Sequence, residues 1–378
     1  PKPFDPRLIL RIAPAVAKAA IESGVATRPI EDFAAYQARL AGFAYRSGQL
    51  MRPVFASAAQ RPMRVVYAEG EDDRVLRAAQ IALDEGIAQP VVVGRREVIT
   101  ARIDALGLRL REGEGLTIRD PAADEVFEPM CEAYHRLVER KGIPPDTAER
   151  QLRTRPTVAA CMLLVADHAD AAICGTIGPW MRHWERVRDI VGRRPDVGRV
   201  SALSGLILPA GPIFVADTHV NPDPSAEQIA EMTGLAAEAV RRFGIEPKVA
   251  LVSHSNFGSS GSASAKKMRA ALALIAARFP ELEVEGEMHA DAALSEAIRL
   301  RIFPRSRLTG VANLLIMPNL DAANIAFELL KAAADGLPVG PMLLGMSRPV
   351  HILNPTVTAR GILNVTALAV REAQERAG

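Results

Sequence analysis

The stretch from Val249 to Ala270, VALVSHSNFGSSGSASAKKMRA, constrains the chain more than any other. Val249, Ala250, Leu251 and Val252 are consecutive apolar residues, the pattern of a strand buried on both faces of a parallel sheet. Ser253 to Ser264 is almost entirely small or polar, and from Ala265 the pattern turns helical, with Met268, Leu272 and Leu274 on one side. A strand that feeds a Gly/Ser loop and then a helix gathers free backbone N–H groups around an anion. Gly258 and Gly261 permit positive φ and close approach of the backbone to a ligand, and Ser262 or Ser264 suits the helix cap. The same residues also satisfy a βα turn that uses glycine for geometry alone. Neither GxxxxGK(S/T) nor GxGxxG occurs here, so the stretch by itself does not specify a nucleotide.

Around this stretch strands and helices alternate, which predicts an α/β fold with parallel pairing. Helices are expected over 6–24, with Pro14 inside and Gly24 at the end, and over 31–50. A looser segment, Met51 to Pro62, reads as the clearest boundary. Beyond it come a strand at 64–68, a helix at 74–85 and a strand at 91–93. The acidic turn Glu69 to Asp73 between them fits carboxylates at a helix N-terminus better than a cation site. Helices over 123–140, 146–153 and 157–167 lead to a strand at 171–174. The helix that follows, Trp180 to Ile190, carries Arg182, His183, Arg186 and Arg188. It reads as a solvated face balanced by Glu185 and Asp189, with a phosphate-facing role as the alternative. Strands 200–208 and 212–216 form a hairpin across Pro209-Ala210-Gly211, and Ser225 with Gln228 makes a capping-box pair. Further strands fall at 282–284, within 310–318 and at 350–353, with a last helix over 358–375. Ligands of open α/β sheets bind beyond the carboxyl ends of the strands. That rule makes Ser253–Gly261, Asn319–Asn324 and Asn354–Thr358 candidate loops around one crevice.

A length of 378 residues suggests two or three domains, and 49% hydrophobic with 4% aromatic residues gives an aliphatic core. The net charge of +2 offers no electrostatic case for nucleic acid or an anionic membrane. Cys131, Cys161 and Cys174 are odd in number and far apart, which suggests reduced thiols and a cytoplasmic setting. The histidines stand singly, without HExxH or CxxC, so no metal site is visible. No apolar run approaches the roughly 20 residues of a membrane span, and no signal peptide is present. The start at Pro1-Lys2-Pro3, without Met, reads as a fragment or processed product.

Several phrases together resemble the phosphate acetyltransferase (phosphotransacetylase) family. They are FGIEPKVALVSHSNFGSSGSA (243–263), EVEGEMHADAAL (283–294), LTGVANLLIMPNLDAANIAFELLK (308–331) and GPMLLGMSRPVHIL (340–353), joined by ADAAICG (169–175) and VADTHVNPDPSAEQIAE (215–231). The resemblance covers about 64–378, in order. PKPFDPRLILRIAPAVAKAAIESGVATRPI (1–30) is similar to the closing segment of the catalytic part of long, multidomain bacterial NADP-dependent malic enzymes, in which a phosphotransacetylase-like domain comes last.

The resemblance implies two α/β/α subdomains with a cleft between them, isocitrate/isopropylmalate dehydrogenase-like in architecture. On this reading 1–63 closes the malic enzyme domain and links onward, 64–208 plus 333–378 is the first subdomain, and 209–332 is the second. Family members carry DLSRG after the strand matching Val350–Leu353, and its Ser and Arg act in catalysis. Here Asn354 and Pro355 stand in their places, and the acidic residue shortly after falls on Gly361. Proline cannot replace a guanidinium. In the family's TTA-x-x-x-RP stretch the arginine's place falls on Glu185, with Arg186 adjacent.

The implied function is an acetyl-CoA-sensing, oligomer-forming regulatory domain of an NADP-dependent malic enzyme, without catalytic residues of its own. Acetyl-CoA or CoA would be the ligand, and the malic enzyme domain of the same polypeptide and further copies of the chain the partners. NADP and a divalent metal would belong to the malic enzyme domain alone. The expected ligand-binding residues are Ser255, Asn256, Gly258, Ser259, Ser260, Gly261, Ser262 and Lys266 in the loop, with Asn319, Asn324, Lys331 and Asn354 lining the cleft. An active acetyltransferase and a purely structural oligomerisation domain are the competing readings.

Overall fold

The structure, a computed structural model, describes residues 6–377. Two helices open the chain, α1 (Pro6–Glu22) and α2 (Phe33–Ala58). β1 (Met63–Tyr67), α3 (Asp73–Asp84), β2 (Ala88–Val93), α4 (Arg96–Ala105) and β3 (Thr117–Arg119) then alternate. α5 (Glu128–Val138), α6 (Pro145–Thr154) and α7 (Pro156–Val165) precede β4 (Ala171–Cys174) and α8 (Trp180–Ile190). The hairpin β5 (Ser201–Leu208) and β6 (Gly211–Ala216) leads into α9 (Ala226–Arg241), β7 (Lys248–Val252), α10 (Ala263–Arg278) and β8 (Glu283–Met288). The chain closes with α11 (Ala290–Leu294), α12 (Glu296–Ile302), β9 (Leu314–Ile316), α13 (Leu320–Ala333), β10 (Leu337–Leu344), β11 (Val350–Ile352) and α14 (Ala359–Ala377).

These strands form two sheets. The first is wholly parallel, in the order β11-β4-β1-β2-β3. Its Val/Ile/Ala runs are buried on both faces, as such a sheet requires: β4 has no exposed residue and β1 has Val65, Val66 and Tyr67 wholly inside. The second has the order β10-β5-β6-β9-β7-β8; β6, β9, β7 and β8 are mutually parallel, and β5 runs antiparallel to both neighbours.

Local chemistry sets the ends of these elements. Asp72 caps α3, accepting from the Arg74 N–H at 2.8 Å, so the acidic turn is a helix start. Ser225 and Gln228 form the reciprocal capping box of α9, and Ser262 caps α10 through the Ala265 N–H. Gly24 ends the first helical run at φ 73°, with the Val25 N–H returning to the Ala20 carbonyl at 3.1 Å.

Three expectations are corrected. The segment 51–62 is not a loose boundary, because α2 runs through Pro53 to Ala58 with Met51, Val54 and Ala58 fully buried. Gln374 of α14 donates to the carbonyls of Ser57, Ala58 and Arg61, so the last turn of α2 is capped from the other end of the chain. β5 and β10, read with the first unit, hydrogen-bond into the second sheet. β10 itself does not read as a strand, because Gly340-Pro341 interrupts its apolar run; the register shifts there between Val339 and Met342, with Gly340 at φ 105°.

If α2 belongs to the core, Met51→Ala lowers the unfolding free energy by about 2–4 kcal/mol in urea titration. A loss within experimental error would return 51–62 to the status of a linker.

Candidate functional site

Three buried carboxylates stand at the carboxyl ends of strands, where ligands of α/β sheets bind. Glu69, two residues beyond β1, accepts the Gly175 N–H on both oxygens at 3.1 Å and so ties the end of β1 to the end of β4. Burial pushes its carboxyl up to about 7 against the lowering effect of those N–H groups. Asp217, directly after β6, accepts N–H bonds from Ala202, His219, Val220 and Asn221 at 2.9–3.1 Å. Its burial nevertheless raises its pKa above the usual carboxylate value. Glu287, in β8, accepts from Ser255 Oγ at 2.6 Å, the Gly258 N–H at 3.1 Å and Arg269 Nη1 at 2.6 Å.

The Glu287 carboxylate decides the state of the Gly/Ser loop. Of the donors expected to await an external anion, the Ser255 hydroxyl and the Gly258 N–H are turned inward onto this side chain, while the N–H groups of Asn256, Ser259, Ser260 and Ser262 bond to oxygens of the loop itself. Ser255 Oγ also accepts the Ser260 N–H at 3.0 Å and lies 3.2 Å from Ser259 Oγ. Asn256 Oδ1 accepts the His289 N–H, and His254 Nε2 sits 3.3 Å from Ser260 Oγ and 3.2 Å from Ser262 Oγ. Gly258 has φ 93°, with open space where a Cβ would stand; Gly261 does not take positive φ and, although open, needs no glycine conformation. Lys266 is exposed, while its neighbour Lys267 reaches Asp223 and donates to the Pro318 carbonyl. That contact brings the start of α10 beside Asn319, which caps α13 through the Ala322 N–H at 2.9 Å.

Asn324 and Asn354 meet at a different group, His219. Asn354 stands beside the His219 side chain and acts on its pKa, and Asn324 Nδ2 donates to the Thr218 carbonyl at 3.4 Å. The His219 ring lies 5.0 Å from Trp180 by centroids, with Nδ1 2.9 Å from Thr218 Oγ1. Burial lowers its pKa to about 4, so the imidazole is neutral near pH 7. Trp180 Nε1 donates to the Ile352 carbonyl, which joins α8 to β11. These contacts bring Trp180 of α8, His219 and Thr218 after β6, Asn324 of α13 and Asn354 after β11 together where the elements of the two sheets meet, the expected cleft. Lys331 lies two turns further along α13, about 10 Å from Asn324 by helical rise, and pairs with Glu328.

Sequence reasoning missed His219 and Trp180 as cleft residues. Asp217-Thr218-His219 at the end of a strand, ahead of a Pro/Asn loop, was the available signal. The loop after β11 is fixed by Arg74, which pairs with Asp72 and donates to the carbonyls of Thr176 (2.9 Å), Pro355 (2.6 Å) and Val357 (3.0 Å). Arg74 is thus committed to Asp72 and to backbone. A Cβ at Gly361 would stand 2.7 Å from Val357 Cγ2, so that position is closed to an acidic side chain without rearrangement.

A family model described as phosphate acetyl/butaryl transferase matches residues 49–370. The chain belongs to that family. The phosphate acetyl/butaryl transferase assignment agrees with a solved structure: a phosphotransacetylase from Streptococcus pyogenes superposes with a TM-score of 0.80 at 27% identity, over 86% of this chain and 98% of that one. Among curated proteins, the NAD-dependent malic enzyme of Rhizobium meliloti (strain 1021) is 52% identical over 98% of this chain and 48% of its own length. The NADP-dependent malic enzyme of Escherichia coli (strain K12) is 49% identical over 99% of this chain and 49% of its own length, the match falling on the C-terminal part. The chain spans about half the length of these malic enzymes. Both resemblances read from the sequence, to phosphotransacetylases and to malic enzymes, are therefore found. Among the described residues no helix is long and apolar enough to cross a membrane.

The raised Glu69 carboxyl carries a pH signature. Its folded pKa, about 7, exceeds the ordinary glutamate value of 4.5, so between these values the folded chain holds a proton that the unfolded chain has released. Stability therefore falls as pH rises through this window and levels off above pH 7. Glu69→Gln removes that slope. Between pH 5 and pH 8 the variant should gain on the native chain by up to about 3 kcal/mol in denaturant titrations. Parallel pH profiles for the two proteins would contradict the assignment.

Proposed function

We propose that this chain is the acetyl-CoA-responsive regulatory and oligomer-forming module of a malic enzyme, and that it lacks acetyltransferase activity of its own. The observation that carries the reading is the loop after β11. Acetyl transfer between a CoA thiol and phosphate needs cations for the phosphate and the developing oxyanion. The family's catalytic Ser and Arg correspond to Asn354 and Pro355 here, a side chain at Gly361 would have to displace the Val357 methyl, and Arg74 is held by Asp72 and three carbonyls.

A cleft that has lost its charged chemistry keeps hydrogen-bonding and stacking groups. Asn324, Asn354, His219 and the Trp180 ring suit the amide-rich arm and adenine of a CoA thioester better than they suit phosphoryl chemistry. The architecture around that cleft is read as isocitrate/isopropylmalate dehydrogenase-like. Regulation follows if acetyl-CoA prefers one conformation or assembly of the whole enzyme. Malic enzymes make pyruvate, pyruvate becomes acetyl-CoA, and a sensor of that product closes a feedback loop. Exposed Ile325 and Leu329, one turn apart on α13, support self-association. The coenzyme is NADP in one relative's name and NAD in the other's. Coenzyme and divalent metal would be bound by the part of the enzyme outside this match, in a cytoplasmic protein.

Calorimetric titration of the chain with acetyl-CoA should give saturable binding, and assays with CoA and acetyl phosphate should give no acetyl transfer. His219→Ala should weaken acetyl-CoA roughly tenfold, the loss of one buried hydrogen-bonding and stacking group. Absence of binding at millimolar ligand would leave a scaffold, and formation of acetyl phosphate would reinstate an active transferase.

A further inference from the structure

Two sheet edges meet at β10 and β11. β11 is the edge strand of the first sheet and β10 that of the second, and no strand ladder joins them among the described residues. A side chain bonds across this seam instead. The Leu343 N–H of β10 donates to Nδ1 of His351, in β11, at 3.2 Å. A ring nitrogen that accepts carries no proton, so the proton of the neutral imidazole sits on Nε2. Nε2 lies 3.5 Å from Glu372 Oε2 of α14, and both side chains are buried, at 3% and 7% exposure. It has no hydrogen-bond partner among the described residues. A cavity of about 10 Å³ adjoins the pair, lined also by Ala239, Arg242 and Leu368, which is room for about one water. Around the ring the seam is held by arginines. Arg376 of α14 donates to the carbonyls of Met346 and Ser347, and Arg242, after α9, pairs with Glu375 of α14.

These groups set the charge of His351. Burial opposes a second proton most strongly, Glu372 favours it, and Arg242 and Arg376 oppose it, so the ring titrates below the ordinary imidazole value of 6.5. Arg242 is balanced by Glu238 and Glu375, and Arg376 by Glu372. From β4, the Cys174 thiol donates to the His351 carbonyl at 3.9 Å, and burial holds it well above its ordinary value, so it stays uncharged. At neutral pH the ring is therefore an acceptor for Leu343. A second proton turns Nδ1 into a donor, and it would then face the Leu343 N–H with no acceptor between them.

We propose that His351 is an acid-released latch between the two sheets: as neutral imidazole it holds the edge of β10 to β11 through Nδ1, and a proton on Nδ1 lets that edge go. Asn354 of the expected cleft lies two residues beyond β11, so the latch governs how the cleft is held. It does not rest on the acetyl-CoA reading. Because the folded ring takes its proton at lower pH than the unfolded one, the latch stabilises the fold above the ordinary imidazole value and loses that contribution as pH falls below it.

Amide exchange at Leu343, corrected for its intrinsic pH dependence, is measured between about pH 7.5 and about pH 5 on the native chain and on His351→Asn. The asparagine Oδ1 accepts in the place of Nδ1 and takes up no proton. The native chain should lose roughly tenfold or more of its protection at Leu343 on acidification, with β1 and β7 unchanged, and His351→Asn should lose none. Tryptophan emission should shift with the same midpoint, since the chain has two tryptophans and Trp180 Nε1 donates to the Ile352 carbonyl, one residue from His351. Glu372→Gln serves if His351→Asn does not fold: it removes the anion that favours the second proton, so opening at Leu343 should move to lower pH. Constant protection of Leu343 in the native chain, an equal loss in His351→Asn, a loss shared by β1 and β7, or an opening that stays in place or moves to higher pH in Glu372→Gln would overturn the proposal.

Discussion

Carboxylates buried at the carboxyl ends of parallel strands hold the loops of this protein in place. A parallel sheet delivers several chain segments to one edge, and each leaves it with unpaired N–H groups. Glu69, Asp217 and Glu287 are placed to accept those donors. Each binds a segment distant in sequence: Glu69 the turn after β4, Asp217 the N–H that opens β5, and Glu287 the loop after β7. A buried carboxyl in such a setting is costly unless its hydrogen bonds are met; the loops meet those of Glu69, Asp217 and Glu287 Oε1, while Glu287 Oε2 has no partner among the described residues. The edge of each sheet is thus tied together by its own side chains, with Arg269 supplying the counter-charge at Glu287.

This arrangement redistributes the chemistry that the loops suggest. A Gly/Ser loop at a helix N-terminus has the composition of an anion cradle, but Glu287 and Arg269 already supply an anion and its counter-charge. The proposed function draws on the neutral donors, acceptors and rings of Trp180, His219, Asn324 and Asn354, which meet where the two sheets' elements come together.

Much of this was legible in the sequence because it depends on neighbours. Apolar runs such as Val249–Val252 and Ala171–Cys174 announce buried parallel strands, Asp72 and Ser225 announce helix starts, and Pro209-Ala210-Gly211 announces the hairpin. What was not legible depends on distant partners. The Gly/Ser loop looks empty because Glu287 lies some 30 residues on, in a strand whose charged residues conceal it. α2 looks finished at residue 50 because the partner of its last turn, Gln374, comes more than 300 residues later. β10 is hidden by Gly340-Pro341, and His219 is a lone histidine until the fold sets it against Trp180 and Asn354. Of the expected ligand residues, Asn324 and Asn354 are brought together, the Ser255–Ser262 loop is closed on itself, and Lys331 is held by its own helix.

The account stands on the claim that an internal carboxylate, not an external anion, orders the loop after β7. Hydrogen exchange over residues 253–262, compared between the native chain and Glu287→Gln, tests it most directly. Removing the charge while keeping an acceptor should weaken the bonds from Ser255, Gly258 and Arg269, because hydrogen bonds to an ionised group are about twice as strong as neutral ones. The account predicts exchange in this loop faster by roughly tenfold or more, with protection in β1, β4 and α14 unchanged. Unaltered protection of the loop would contradict it, and would return the Gly/Ser stretch to the role of a free anion cradle.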